Sequence, residues 1–357
     1  VLALNLYIKI HVLFEVVDMD PNSFANNSEL RKFWYPIARA TDVNPGPMSV
    51  KLLNQNYVVW RGADGFSVAV DRCPHREAPL SAGSVSDDNL SCPYHGWTFS
   101  GDGVCVRVPS ALPDVPVPPR AHLEILGVVE RYGLLWLCPQ PASETPADSI
   151  IPNISQEADS TFRRINTPVE IWQTSTPRLV DNFMDFSHFP FVHTTTFGNS
   201  NETVIPKLDL GPLEGDFYGY QYGVNAKNPS TAEATSGEQS SFVEREMSTG
   251  FCLPTFVRST IAYHSGLSHI LLLLSTPRDD FSSYFTFVVW RNDDFSTPAD
   301  EIISFDLAIG AEDKAMLEQV SGLLPLDLKQ TVSVQADKPS VEWRRQFVKL
   351  LEGAGAD

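Results

Sequence analysis

Basic residues are scarce in this 357-residue chain. Its 26 Lys and Arg stand against 44 Asp and Glu, a formal net charge of −18. A surface of that sign repels phosphate backbones, which excludes nucleic acid as a partner. Long apolar runs are missing too. Nothing approaches the ~18 consecutive apolar residues of a membrane span, and the run Ile270–Leu274 has only the length of a strand. Cysteine is rare, with five in the chain. There is no internal repeat and no glycine-rich nucleotide-binding motif. The opening stretch, VLALNLYIKIHVLFEVVDMD, is apolar enough for a secretory leader. A lysine interrupts it, however, and no small-residue cleavage site follows. Residues 1–30 are therefore expected to be an N-terminal extension, with Met19 the natural start.

What the chain does have is concentrated in a few short runs. Cys73-Pro74-His75 is followed, after 16 residues, by Cys92-Pro93-Tyr94-His95. One Cys and one His per run can hold two irons asymmetrically, with thiolates on one and neutral imidazoles on the other. This is the Rieske [2Fe–2S] arrangement, in which the loss of thiolate charge raises the reduction potential. A structural zinc site is the competing reading. Against it stand the proline after each first cysteine and the turn-forming Gly96, Gly101 and Gly103. The other three cysteines, Cys105, Cys138 and Cys252, are an odd remainder at scattered spacing. They imply reduced, buried thiols and a cytoplasmic location.

A second constellation lies in DNFMDFSHFPFVH, residues 181–193. Composition alone predicts about 0.02 matches to its core pattern of Asp185, His188 and His193, so chance does not explain it. A helix over 177–189 would put Asp185 and His188 on one face. Pro190 would end that helix near Phe189 and let His193 swing back toward the same point. Two imidazoles and one carboxylate make the facial triad of non-haem Fe(II) oxygenases, with positions left open for O₂.

The cluster runs with their flanks HREAPLSAG and CPYHGWTFSGDG, together with residues 181–193, resemble the α-subunits of Rieske ring-hydroxylating oxygenases. The likeness runs from about residue 30 onward. NFMDFSHFPFVH and PMSVKLLNQNYVVWR look most like the O- and N-demethylase group of monooxygenases. The resemblance implies that the iron carboxylate comes from a late helix, Pro298 to Gly322. There GAEDKAMLEQV places Asp313 in the ligand position, with Asp306 and Glu312 as alternatives. It also implies that Asp185 bridges the iron histidine to a Rieske histidine of a neighbouring subunit. Asp185 and Asn182 are thus the candidate catalytic residues, and a homotrimer is expected. Ile309 and Phe305 lie one and two turns before Asp313 on its face. With Asn182 and Phe186 they are the expected pocket lining.

The organisation follows the same division. Residues 31–141 are expected to form an all-β Rieske domain, and 142–357 a catalytic domain. Apolar or alternating runs near 242–250, 255–264, 268–276 and 283–291 suit an antiparallel meander. Helices packed against such a sheet give an α+β fold. Residues 31–140 hold ten basic and ten acidic residues, so the whole excess charge lies elsewhere. Arg72 and Arg76, flanking the first cluster loop, would repel an acidic electron donor least.

The function implied is an oxygenase that hydroxylates a small, aromatic or heteroaromatic substrate. Oxidative O- or N-demethylation releases formaldehyde. Electrons come from a separate NAD(P)H-dependent reductase, directly or through a ferredoxin, since the chain lacks a nucleotide motif. The cofactors are the [2Fe–2S] cluster and one mononuclear non-haem Fe(II). A ring cis-dihydroxylating dioxygenase and a pure electron-transfer protein are the rival readings.

Overall fold

The structure, a computed structural model, describes residues 20–43, 45–112 and 114–353. The expectations for residues 1–19, Met19 as the natural start among them, fall outside these. The N-terminal part is built of short strands joined by tight turns. Gln55–Gly62 lies between Met48–Leu52 and Gly65–Val70. Leu53 and Asn54 take positive φ, 49° and 64°, as a two-residue hairpin with right-handed strand twist requires. Tyr132 and Gly133 do the same between Leu126–Arg131 and Leu134–Pro141, and Tyr35–Arg39 pairs with the latter. A third sheet joins Ser84–Ser86, Asn89–Ser91, Thr98–Phe99 and Cys105–Arg107. Its core gathers Val58, Trp60, Leu80, Leu90 and Phe99 around Cys73 and Cys92.

The second part is organised by the expected meander. Phe242–Cys252, Phe256–Tyr263, Ser268–Pro277 and Ser283–Arg291 pair antiparallel in sequence order. Tyr218–Lys227 extends the sheet on one side and Arg163–Asn166 on the other. The run Ile270–Leu274 is apolar throughout because both faces of its strand are covered. Ile270, Leu272 and Leu274 pack with Leu134 and Trp136 of the N-terminal part. Leu271 and Leu273 point the other way, into a cavity beneath the helices. Ala299–Leu317, within the expected late helix, and Lys338–Leu351 complete the α+β fold. Among the described residues no helix is long and apolar enough to cross a membrane.

Backbone bonds join the two parts. Leu53 and Asn54 N–H donate to Pro277 and Arg278 carbonyls, each at 2.9 Å. Lys51 Nζ meets Asp279 at 2.7 Å.

The expected helix over 177–189 is not continuous. It runs Thr176–Met184 and stops, Asp185 is extended (φ −91°, ψ 145°), and a short helix follows at Phe189–Val192. Asp185 and His188 therefore do not share a helix face. The cause is Asp185 itself. Its carboxylate accepts from Ser187 N at 2.9 Å, Ser187 Oγ at 2.6 Å and His188 N at 3.2 Å. Such local side-chain bonds compete with helix propagation. Pro190, expected to end the first helix, instead sits in the opening turn of the second, where its missing N–H costs nothing.

Candidate metal centres

The two cluster loops have the same backbone. Cys73 N–H donates to Ala78 O, five residues on, and Cys92 N–H donates to Trp97 O, also five on. Each cysteine carbonyl then accepts from the residue four ahead, Glu77 or Gly96. Those two residues hold φ of 62° and 68°. Gly96 adopts this freely, whereas Glu77 does so at some cost. Both sulfurs are buried, and His75 and His95 face outward with ring centroids 4.6 Å apart. His75 stacks on Trp97 at 4.5 Å, which fixes its plane. Burial pushes the Cys73 thiol up to about 11, and the neighbouring Cys92 adds to the rise. A single zinc ion would draw its donors to within about 4 Å of one another. Among the described residues only His188, His193 and Asp313 gather within 4.8 Å. With one Cys and one His from each of the twin loops, the donor set suits a two-iron group.

The second centre is drawn together from two elements. His188 and His193 cap the two ends of the short helix Phe189–Val192, and Asp313 lies on Ala299–Leu317. His188 Nε2 and His193 Nε2 are 3.2 Å apart, and Asp313 Oδ1 lies 3.5 Å and 3.4 Å from them. Donors at ~2.1 Å from a shared cation, at right angles, would stand about 3 Å apart. Each imidazole is turned by a carboxylate behind it. His188 Nδ1 bonds Asp185 Oδ2 at 2.9 Å, and His193 Nδ1 bonds Glu312 Oε2 at 3.0 Å. With the Nδ1 atoms as donors, both Nε2 lone pairs face Asp313, and three acceptors converge where a cation belongs. Burial lowers His188, but its bonds to Asp185 and Asp313 outweigh that and carry it up to about 9. Burial dominates at His193 and lowers it. The donor set fits a facial-triad iron.

Glu312, expected only as an alternative ligand, serves instead as the anchor of His193. It also accepts from Thr195 N at 3.1 Å and Thr196 Oγ1 at 2.6 Å. These bonds hold its carboxyl below the usual range despite burial. Outer partners of this kind typically contribute 10–100-fold to metal affinity. Glu312→Ala is therefore expected to weaken ferrous iron binding by about 10- to 100-fold, measured by iron retained on dialysis. Undiminished retention would show that His193 needs no anchor.

Asp306, the other alternative, is withdrawn from the centre. It meets His269 Nε2 at 3.1 Å, and His269 Nδ1 bonds Arg291 at 3.0 Å. Asn182 Nδ2 donates to Asp313 Oδ1 at 3.1 Å. Asn182, Phe305 and Ile309 line a cavity above the three converging donors, with Phe183, Phe285, Phe287 and Leu273. Phe186 does not. Because the helix ends at Met184, Phe186 leaves the expected face, stacks on Tyr222 at 4.4 Å and borders a neighbouring cavity. Arg245 also lines the main cavity and was not foreseen. Its signal was the alternation Val243-Glu244-Arg245-Glu246-Met247, which turns both acids outward and the arginine inward.

Residues 33–119 match the Rieske [2Fe-2S] domain, and residues 172–353 match the vanillate O-demethylase oxygenase C-terminal domain. The methylxanthine N1-demethylase NdmA of Pseudomonas putida is 32% identical over 90% of this chain and 90% of its own. The structure of NdmA with caffeine superposes with a TM-score of 0.77 at 30% identity, over 92% of this chain and 93% of that one. Dicamba monooxygenase bound to dicamba, at 23% identity, shares the fold, with a TM-score of 0.75 over 92% of this chain and 98% of that one.

Proposed function

We propose that this chain, which belongs to the Rieske non-haem iron oxygenase α-subunits of demethylase type, removes a methyl group from oxygen or nitrogen of a small aromatic or heteroaromatic molecule. The enzyme is an oxidoreductase that carries a Rieske [2Fe–2S] cluster and one mononuclear non-haem iron. We assign the cluster to Cys73, His75, Cys92 and His95, and the iron to His188, His193 and Asp313. The observation that carries the reading is the convergence of those last three donors at the floor of an apolar cavity.

When bound, the iron activates dioxygen with electrons relayed from the cluster. The chain's own residues set the geometry. Asp185 and Glu312 fix the imidazole planes, and Asn182 holds the Asp313 carboxylate. The apolar walls exclude water and aim the methyl group at the centre. In the net reaction, one dioxygen, two electrons and two protons convert the methyl ether or methylamine to formaldehyde, water and the freed hydroxyl or amine. The hydroxymethyl hemiacetal or hemiaminal collapses without further help.

Electrons reach such enzymes from a separate reductase or ferredoxin. We place the division of the chain at residue 141 and the protein in a reducing compartment, which suits its five unpaired cysteines. We also propose a homotrimer that closes head to tail, each cluster serving the next chain's iron. The exposure of the cluster tip supports this, since Tyr94, beside His95, is 62% exposed.

The test is purified chain, a surrogate reductase and a panel of O- and N-methyl aromatics. Formaldehyde is the expected product, and a cis-diol instead would make it a ring dioxygenase. A second expected result concerns the cluster. His95→Cys restores thiolate charge and is expected to lower the potential by on the order of 100 mV or more, read by redox titration of the EPR signal. An unchanged potential would remove His95 from the ligand set.

A further inference from the structure

Four arginines are buried among the described residues: Arg245, Arg258, Arg291 and Arg344. Three of them meet a carboxylate. Arg258 pairs with Glu214 at 2.7 Å, Arg291 with Asp293 at 3.0 Å, and Arg344 with Asp181 at 2.7 Å. Arg245, only 8% exposed, has no ion pair and no hydrogen-bond partner for its guanidinium among the described residues, and its Nε is fully enclosed. A buried cation without a counter-charge is strongly unfavourable, and a protein keeps one where something else supplies the charge. The face of Phe197, 5.0 Å from the guanidinium carbon, compensates only in part.

Where Arg245 sits indicates what that something is. It stands in an inward row with Val243, Met247 and Thr249, and it lines the cavity above the iron ligands. Phe197 stacks on His193 at 4.8 Å. A single aromatic ring thus separates the guanidinium from an iron-binding imidazole. The span fits a substrate of one ring, charged at one end and methylated toward the other. The acids that face the same space are already engaged: Asp306 with His269, Asp313 with the two imidazoles and Asn182. Among the described residues that line this space, Arg245 is the cation left without a counter-charge.

We infer that the substrate is anionic, an aryl carboxylate whose charge Arg245 binds while its methoxy or methylamino group faces His188, His193 and Asp313. The planar guanidinium suits two-point binding of a carboxylate. A neutral substrate would leave the cation buried and unpaired. The methyl end of this inference rests on the demethylase reading, while the charged end does not.

Calorimetric binding to the metal-loaded enzyme separates the two. The probes are meta- and para-methoxybenzoate and the corresponding neutral methoxybenzamides. The wild-type chain is expected to bind the acids about 10- to 100-fold more tightly than the amides, the range for charge-assisted bonds in a buried site. Arg245→Gln is expected to erase that ratio, and Arg245→Lys to keep part of it. Iron retained on dialysis checks that the catalytic part of each variant is folded. Equal binding of acids and amides by the wild type, no binding of either acid, or a ratio that survives Arg245→Gln overturns the inference. Formaldehyde is measured with the same enzyme and probes in parallel samples supplied with the surrogate reductase, NAD(P)H and dioxygen. An acid preference without formaldehyde leaves Arg245 in place and sinks demethylation. Formaldehyde without an acid preference does the reverse.

Discussion

Replacing His188, His193 or Asp313 by alanine is expected to abolish oxygenation, by at least about a thousandfold, well beyond what loss of an outer partner does. The visible spectrum of the cluster is expected to stay unchanged, because the cluster loops form a separate core around Cys73 and Cys92. The effect is large because the two ends of the short helix and the late helix bring three donors to one point, and no more among the described residues. Removing one leaves two, and iron held by two side chains is easily lost. Iron content, formaldehyde yield and the cluster spectrum together decide the matter. Asp313→Ala is the informative member. Full iron and full turnover in that variant would move the carboxylate ligand to Asp306 or Glu312. The geometry argues against both, since Asp306 is bound to His269 and Glu312 to the far nitrogen of His193.

The sequence disclosed most where chemistry constrains residue type. Two Cys–Pro loops with histidines two and three residues on are rare enough to point to a cluster unaided, and they form twin loops in the structure. The meander was legible because strand runs alternate or stay apolar for a packing reason. Ile270–Leu274 is the clearest case, with one face toward Trp136 and the other toward the cavity. Periodicity failed where a side chain competed with the backbone. The helix stops at Met184 because Asp185 bonds to Ser187 and His188, and no hydrophobic pattern records such a turn. The misplacement of Phe186 follows from that error. The anchoring role of Glu312 and the place of Arg245 were missed for another reason. A carboxylate on a helix and an arginine in a strand have no fixed role until a fold brings His193 or a cavity beside them.

Asp185→Asn is expected to leave both metals and the proposed trimer in place yet slow reoxidation of the cluster by on the order of 100-fold. Asparagine also forms the turn that breaks the helix, so the backbone around His188 persists. What it cannot do is accept donors freely on both oxygens. Asp185 now accepts two bonds on each. Oδ1 takes Ser187 N and Ser187 Oγ, and Oδ2 takes His188 N and Nδ1. Those bonds hold the carboxyl below its usual range although burial works against them. Three of the four donors are fixed by the backbone or the imidazole plane. The Ser187 hydroxyl is a free rotor, and by turning away it vacates the site that an incoming His95 from a neighbouring subunit would fill. The carboxylate would then orient one imidazole from each metal centre and join them by hydrogen bonds. Stopped-flow mixing of reduced enzyme with dioxygen measures the rate, and sedimentation measures the assembly. A monomer with full activity sinks the idea. So does an Asp185→Asn variant whose cluster reoxidises at the wild-type rate.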